Sequence, residues 1–187
     1  MANKKLWNIP NILTLMRVIL IPVLILLAYL PSFSWQNWLI SGVFLLAAIT
    51  DWFDGYLARA LNQTSAFGRF LDPVADKLMV AAALVILVQD YPHLYMVIPA
   101  IVIISREITI SALREWMAEL GKRANVAVSH IGKWKTTAQM TAITVLLVKD
   151  PMLNYLGFVL LYIAVVLTIW SMLIYLKAAW PDLSEAD

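Results

Sequence analysis

The chain has 187 residues, of which 62% are hydrophobic and only 14% are charged. Soluble domains carry charges on about a quarter of their residues, so this composition excludes an ordinary soluble domain and predicts a membrane protein. The length suits one domain, and we expect residues 1–187 to form it without a second soluble module. Because the chain contains no cysteine, disulfides, thiolate zinc sites and cysteine nucleophiles are excluded as well.

The first apolar run has the flanks of a secretory signal, since Lys4 and Lys5 precede it. It extends from Ile12 to Leu30, which is long enough to cross a bilayer, and no small-residue cleavage site follows it. We therefore expect a first helix that stays in the protein.

Six apolar stretches approach the roughly 20 residues that a membrane-spanning helix needs. They cover residues 12–30, 35–60, 70–89, 94–117, 131–148 and 153–176. Short polar connections separate them, and tryptophan and tyrosine lie near several of their ends, as they do at membrane interfaces. The pattern predicts an all-α integral membrane protein with six transmembrane helices.

Lysine and arginine give such a chain an orientation. In the six-span arrangement most of them fall on one side, and only Lys149 falls clearly on the other. Cytoplasmic loops carry the excess of basic residues, so we expect a multi-pass protein of the cell inner membrane with both termini in the cytoplasm. The polar residues of the spans lie toward the same side, which predicts an active site open to the cytoplasm.

Two pairs of aspartates interrupt the second and third apolar stretches. Asp51 and Asp54 are three residues apart and Asp72 and Asp76 are four apart, so each pair lies on one face of a helix. The short connection between the stretches predicts two antiparallel neighbours, which would bring the four carboxylates together. Bound cations would remove their repulsion, and ligands of oxygen alone suit Mg²⁺ or Mn²⁺. We predict a site for two divalent cations; solvated aspartates at helix ends are the alternative.

The residues beside these acids suit a phosphate ligand. Gly55 and Gly68 lack side-chain bulk, so that a phosphate or a base can approach the backbone, although close helix packing would also explain them. Arg59 supplies a planar donor for phosphate.

The segment from Asp51 to Asp76 resembles the signature of the CDP-alcohol phosphotransferase family. It reads Asp-x-x-Asp-Gly-x-x-Ala-Arg, then eight residues, then Gly-x-x-x-Asp-x-x-x-Asp, and it matches all eight defined positions over 26 residues. The resemblance implies a six-helix membrane fold, usually dimeric, with a two-metal site near the cytoplasmic face. By the same resemblance Asp51, Asp54 and Asp72 bind the metals. Asp76 would act as the general base and also touch the second metal.

The resemblance also implies where a CDP-lipid binds. Gly55, Arg59 and Ser65 would contact the cytidine diphosphate, and residues 11–17 are similar to a family element that helps to hold the same nucleotide. Taken alone, Arg17 could instead extend to the membrane interface. The predicted CDP-lipid contacts are Asn11, Thr14, Arg17, Gly55, Arg59, Ser65 and Gly68.

A set of basic residues in the second half of the chain bears on the acceptor substrate. It comprises Arg106, Arg114, Lys133 and Lys135. Arg106 stands in apolar sequence, where a charge is unfavourable; a structural pair with Glu107 would also explain it. Several cations beside the metals predict an acceptor that itself carries a phosphate.

Three segments near these cations, 105–108, 111–115 and 132–139, resemble family members whose acceptor is sn-glycerol 3-phosphate. The resemblance implies an enzyme that transfers the phosphatidyl group of CDP-diacylglycerol to sn-glycerol 3-phosphate and releases CMP. The expected partners are these two substrates, membrane lipid and a second copy of the chain, with no nucleic acid. Inositol phosphate or serine are alternative acceptors. An intramembrane prenyltransferase and an ion or proton transporter are alternatives outside the family.

Overall fold

The computed structural model describes residues 9–60, 66–121 and 130–184. The helices are α1 Ile9–Tyr29, α2 Gln36–Ala60, α3 Ala66–Asp90, α4 Leu94–Glu119, α5 His130–Val148 and α6 Pro151–Ser184. The described residues contain no strand, which confirms the prediction of an all-α chain. Each helix covers one of the six predicted stretches. The largest difference is at α6, which continues to Ser184 because Tyr175 and Ala179 are still buried against α4.

The local sequence explains the sharp reversal between α5 and α6. Lys149 has a φ of 57°, in the left-handed region that lets a chain turn abruptly. Pro151 then occupies the first position of α6, where a missing N–H costs no hydrogen bond. Asp150 caps the helix, because its Oδ1 accepts from the backbone N–H of Met152 at 2.9 Å and of Leu153 at 3.2 Å. The two helices consequently pack on each other along much of their length.

Three helices in the described part of the chain are long and apolar enough to cross a membrane. They comprise Asn11–Tyr29 in α1, Leu94–Glu119 in α4 and Pro151–Pro181 in α6. The other three, α2, α3 and α5, carry the aspartates and lysines that the sequence analysis singles out. The membrane character of the chain is therefore supported directly by three helices, and the number of six spans stays a prediction.

Helix α1 packs against both helices that carry the aspartates. The helices α2 and α3 contact each other, as predicted, but each packs more extensively on α1 than on its acidic neighbour. The main cluster of buried apolar side chains has members on all six helices. It includes Leu24, Phe44, Leu87, Met96, Leu146 and Leu161. A smaller cluster joins α4 to α6 and comprises Ile110, Leu113, Met117, Tyr175 and Ala179. These two clusters thus hold the helices together by apolar packing.

The predicted site residues on helices lie in the first half of α1, α3 and α5, in the second half of α2, and from the middle of α4 onward. Because successive helices run in opposite directions, these parts of the helices lie at the same end of the molecule. Different polar contacts close the opposite end: Nζ of Lys149 lies 2.7 Å from Oδ1 of Asp90, and the Tyr91 hydroxyl donates to Oδ1 of Asn154 at 3.0 Å. The two ends of the molecule therefore differ in chemistry.

Candidate functional site

One buried guanidinium connects carboxylates from two helices. Arg17 of α1 is 1% exposed and donates from Nη1 to Oδ1 of Asp51 on α2. Its Nη2 lies 3.5 Å from Oδ1 of Asp72 on α3, and the Thr14 hydroxyl donates to the same oxygen. Asp51 and Asp72 are therefore close together, as the sequence predicts, but they meet around side chains of α1 rather than directly.

The face of α1 that points to these carboxylates is polar and buried. Asn11, Thr14 and Arg17 are three residues apart, so they lie on one side of the helix, and all three are buried. A buried cation is tolerated where carboxylates compensate for its lost hydration. The segment that resembles the family's nucleotide-holding element is therefore part of the aspartate site.

The chemistry of this end suits a hard divalent cation. Asp51 and Asp72 offer carboxylate oxygens, the ligands that Mg²⁺ and Mn²⁺ prefer, and their side chains are 42% and 40% exposed. The side chain of Asp54, the third predicted ligand, lies outside the described part. Among the described residues no group of three acidic, histidine or cysteine side chains could hold a metal ion. The described geometry thus provides two converging carboxylates, which fit such a cation.

Asp76 connects this end with a cavity of about 230 Å³ that is lined by residues of α3, α4, α5 and α6. It follows Asp72 by one turn of α3, so the two carboxylates share a face. The Asp76 carboxylate lies near enough to Arg17 and Asp51 of the aspartate site, and to Glu107 and Lys135 of the cavity wall, for their charges to act on it. Asp76 is thus the residue that faces both the aspartate site and the cavity.

Two buried cations share one carboxylate in the cavity wall. Arg106 of α4 and Lys135 of α5 are 7% and 4% exposed. Both donate to Oε1 of Glu107, Arg106 from Nη1 at 3.3 Å and Lys135 from Nζ. Nη2 of Arg106 also donates to the Ser171 hydroxyl of α6 at 3.1 Å. The expected pair of Arg106 with Glu107 is present, yet two cations against one anion leave the wall positive.

Tyr175 of α6 holds a third cation at the cavity. The Arg114 guanidinium carbon lies 5.3 Å from the centre of the Tyr175 ring, and Nη2 of Arg114 donates to its hydroxyl at 3.4 Å. The Arg106 guanidinium carbon lies 5.8 Å from the same ring. Such positions over an aromatic face attract cations.

Several residues that line the cavity were not among the predicted site residues, and Lys77, Gln139 and Tyr175 are three of them. Lys77 follows Asp76 directly, Gln139 ends the segment 132–139, and Tyr175 is four residues after Ser171 in an apolar stretch. Of these three, only Tyr175 could have been predicted as a site residue from the sequence, through its helical spacing from Ser171.

The remaining predicted contacts divide into described and undescribed residues. Gly68 is buried on α3. The part that the structure describes does not include Ser65. It also leaves out the side chains of Arg59 and Lys133 and the surroundings of Gly55.

Comparison with known proteins identifies the class of this molecule. The family model for CDP-alcohol phosphatidyltransferase matches residues 7–170. The chain therefore belongs to the CDP-alcohol phosphatidyltransferase family, which confirms the resemblance carried by the aspartate motif. It is an enzyme, a transferase of phospholipid biosynthesis.

Relatives of this chain match it over nearly their whole length. A protein of Salmonella choleraesuis (strain SC-B67) is 57% identical over 180 residues, covering 96% of this chain and 98% of the relative. One from Yersinia enterocolitica serotype O:8 / biotype 1B is 58% identical over 179 residues, covering 95% and 98%. One from Shigella flexneri serotype 5b (strain 8401) is 56% identical over 180 residues, covering 96% and 98%. All three are named CDP-diacylglycerol–glycerol-3-phosphate 3-phosphatidyltransferase.

Proposed function

We propose that this chain transfers the phosphatidyl group of CDP-diacylglycerol to sn-glycerol 3-phosphate, giving phosphatidylglycerophosphate and CMP. The observation that carries the proposal is the identity of 57% over 96% of the chain to a relative that is named for this reaction. The cavity geometry supports it, because Asp76 faces both the aspartate site and a wall of cations. Family membership also favours an enzyme over an ion or proton transporter.

The four motif aspartates would hold two divalent cations, Mg²⁺ or Mn²⁺. They are Asp51, Asp54, Asp72 and Asp76. Bound ions of this kind would polarise the pyrophosphate of the CDP-lipid and offset the charge of the leaving CMP. The contacts of Asp51 and Asp72 with one buried guanidinium support this, because both carboxylates converge on the same positive group.

The CDP-lipid would bind where α1 meets the carboxylates. Asn11, Thr14 and Arg17 form the buried face of α1 there, and Gly68 begins the acidic end of α3. Gly55, Arg59 and Ser65 complete the proposed contacts by resemblance to the family motif. The two acyl chains can stay in the bilayer, because apolar helix faces surround this end of the molecule.

Asp76 would take the proton of the attacking hydroxyl. The acceptor oxygen then forms a bond to the β-phosphorus, while the bond from that phosphorus to the oxygen of CMP breaks. A positioned carboxylate base contributes about a hundred- to ten-thousand-fold in rate. Its place one helical turn from Asp72 and in the cavity wall supports this role, since the base must reach both the CDP-lipid and the acceptor.

The acceptor phosphate would bind to Arg106, Arg114, Lys133 and Lys135. Three of them line the cavity beside Asp76, and arginine offers two-pronged contacts to phosphate. The positive wall around Glu107 supports an anionic acceptor over serine.

The protein would cross the inner membrane six times with both termini in the cytoplasm, as a homodimer. Three apolar helices support the membrane part of this proposal, and the lysine and arginine distribution supports the orientation. The dimer rests on the family resemblance alone.

The acceptor is tested by offering sn-glycerol 3-phosphate, inositol phosphate and serine separately to purified protein with CDP-diacylglycerol and Mg²⁺. CMP release should require sn-glycerol 3-phosphate. Release with serine alone would contradict the assignment of the cavity to a phosphate. No release with any acceptor would contradict the proposed reaction.

A further inference from the structure

Two buried polar atoms of the cavity residues have no hydrogen-bond partner in the part of the chain that the structure describes. Oε1 of Gln139 on α5 is unpaired among the described residues, and Gln139 is only 3% exposed. Nε of Arg106 on α4 is buried and unpaired as well. Both residues line the cavity beside Asp76. Buried polar groups in proteins are nearly always paired, so two unpaired groups on residues of one cavity wall are available to a ligand once their side chains turn toward it.

The two unpaired atoms differ in hydrogen-bonding character. The Nε–H group of Arg106 is a donor and can meet a phosphate oxygen. The amide oxygen of Gln139 can only accept, and a fully ionised phosphate has no proton to offer it. One ligand that satisfies both offers an oxygen to Arg106 and a proton donor to Gln139, and sn-glycerol 3-phosphate has a hydroxyl at C2 that can be this donor.

We propose that Gln139 determines acceptor specificity by accepting a hydrogen bond from the hydroxyl at C2 of sn-glycerol 3-phosphate. The inference rests on the proposed function, because it takes this cavity as the acceptor site. Arg106 binds the phosphate at C3, and the hydroxyl at C1 is left to face Asp76. The terminal torsion of a glutamine side chain is soft, so the amide turns its oxygen into the cavity when the ligand binds.

The position of Gln139 on α5 fits this role. It follows Lys135 by four residues, so both side chains lie on the same face of the helix, and both line the cavity. A ligand whose phosphate contacts Lys135 and Arg106 can therefore extend along this face of the helix toward Gln139. The cavity volume of about 230 Å³ accommodates a molecule of this size.

The test compares sn-glycerol 3-phosphate with 3-hydroxypropyl phosphate, which keeps the phosphate and the attacking hydroxyl and lacks the hydroxyl at C2. We expect kcat/KM of the unaltered enzyme to be about tenfold higher for sn-glycerol 3-phosphate, as for one lost hydrogen bond in a buried site. Gln139→Met should reduce kcat/KM for sn-glycerol 3-phosphate about tenfold and leave that for 3-hydroxypropyl phosphate nearly unchanged. The KM for CDP-diacylglycerol should stay the same in both series.

Thr168→Val is the matched control. Thr168 of α6 is fully buried and its Oγ1 is also unpaired among the described residues, but it does not line the cavity. The variant should keep the tenfold preference. If Gln139→Met does not accumulate in the membrane, Gln139→Asn replaces it, since the shorter amide cannot reach the same position and should also lose the preference.

Each outcome separates this inference from the proposed function. Equal use of the two acceptors by the unaltered enzyme would overturn the role of Gln139 while the reaction stands. A tenfold preference that persists in Gln139→Met or Gln139→Asn would overturn it too. Transfer to neither acceptor would instead contradict the proposed function.

Discussion

Arg106 is the cation whose removal should change acceptor binding most. Its guanidinium contacts Glu107 at 3.3 Å and Ser171 at 3.1 Å, and its Nε has no partner among the described residues. Truncation in Arg106→Ala removes all of these donors from the cavity wall. Glu107 keeps the contact from Lys135, so the variant does not leave a buried carboxylate without a partner. We therefore expect Arg106→Ala to insert and fold.

The size of the effect follows from the kind of bond that is lost. A hydrogen bond to a charged group contributes roughly 1.5–3 kcal/mol. At 1.4 kcal/mol for each factor of ten, the loss corresponds to a rise of about 10- to 150-fold in KM for sn-glycerol 3-phosphate. The KM for CDP-diacylglycerol should change little, because Arg106 lines the cavity and the nucleotide is proposed to bind near α1.

Steady-state kinetics of purified protein in detergent, with each substrate varied in turn, measure both constants. Lys149→Ala is the control, because it also removes one partner of an ion pair, with Asp90 at 2.7 Å, but at the opposite end of the molecule. Its two KM values should match those of the unaltered enzyme. If Arg106→Ala binds CDP-diacylglycerol normally and keeps its KM for sn-glycerol 3-phosphate, the cation is structural and an acceptor without phosphate becomes the better explanation.

Three further predictions concern the base, the packing and the topology. Asp76→Asn should lower kcat by about a hundred- to ten-thousand-fold while CDP-diacylglycerol still binds, and near-normal turnover would show that another group takes the proton. Gly157→Ala should lower the thermal unfolding midpoint in detergent, because its Cβ would lie 2.7 Å from Cγ of buried Leu146; overpacking of this kind costs about 1–3 kcal/mol. Gly42→Ala, whose Cβ would meet nothing within 4 Å, is the control, and equal midpoints would refute the packing argument. Reporters fused to the two termini should both be active in the cytoplasm, and activity of one outside would require an odd number of spans.

The sequence predicts the features of this site that depend on local geometry. Asp51 and Asp54, or Asp72 and Asp76, share a helix face because of their spacing alone. Apolar length alone places the first five helices within a few residues of their observed bounds, whereas α6 ends eight residues beyond its predicted end. The charge of Arg106 in apolar sequence likewise indicates a buried cation, and the structure shows that it is buried.

Side-chain partners on other helices could not be predicted from this sequence. Spacing along α2 and α3 says nothing about a third helix that packs on both, so the contact of Arg17 with two carboxylates required the structure. The sequence pairs Glu107 with its neighbour Arg106, whereas Lys135 reaches the same carboxylate from 28 residues away. Tyr175 is one of several aromatic residues in an apolar helix, and only the packing of α6 on α4 brings it to the cations.

Product formation with each component withheld in turn tests the central claim most directly. Purified protein is given CDP-diacylglycerol, sn-glycerol 3-phosphate and Mg²⁺, and CMP and lipid product are quantified together. We predict equal amounts of CMP and phosphatidylglycerophosphate, none when either substrate is withheld or a chelator is in excess, and recovery when Mg²⁺ or Mn²⁺ is restored. Full product formation in excess chelator would contradict the two-metal site, and CMP release without acceptor would contradict the transfer reaction.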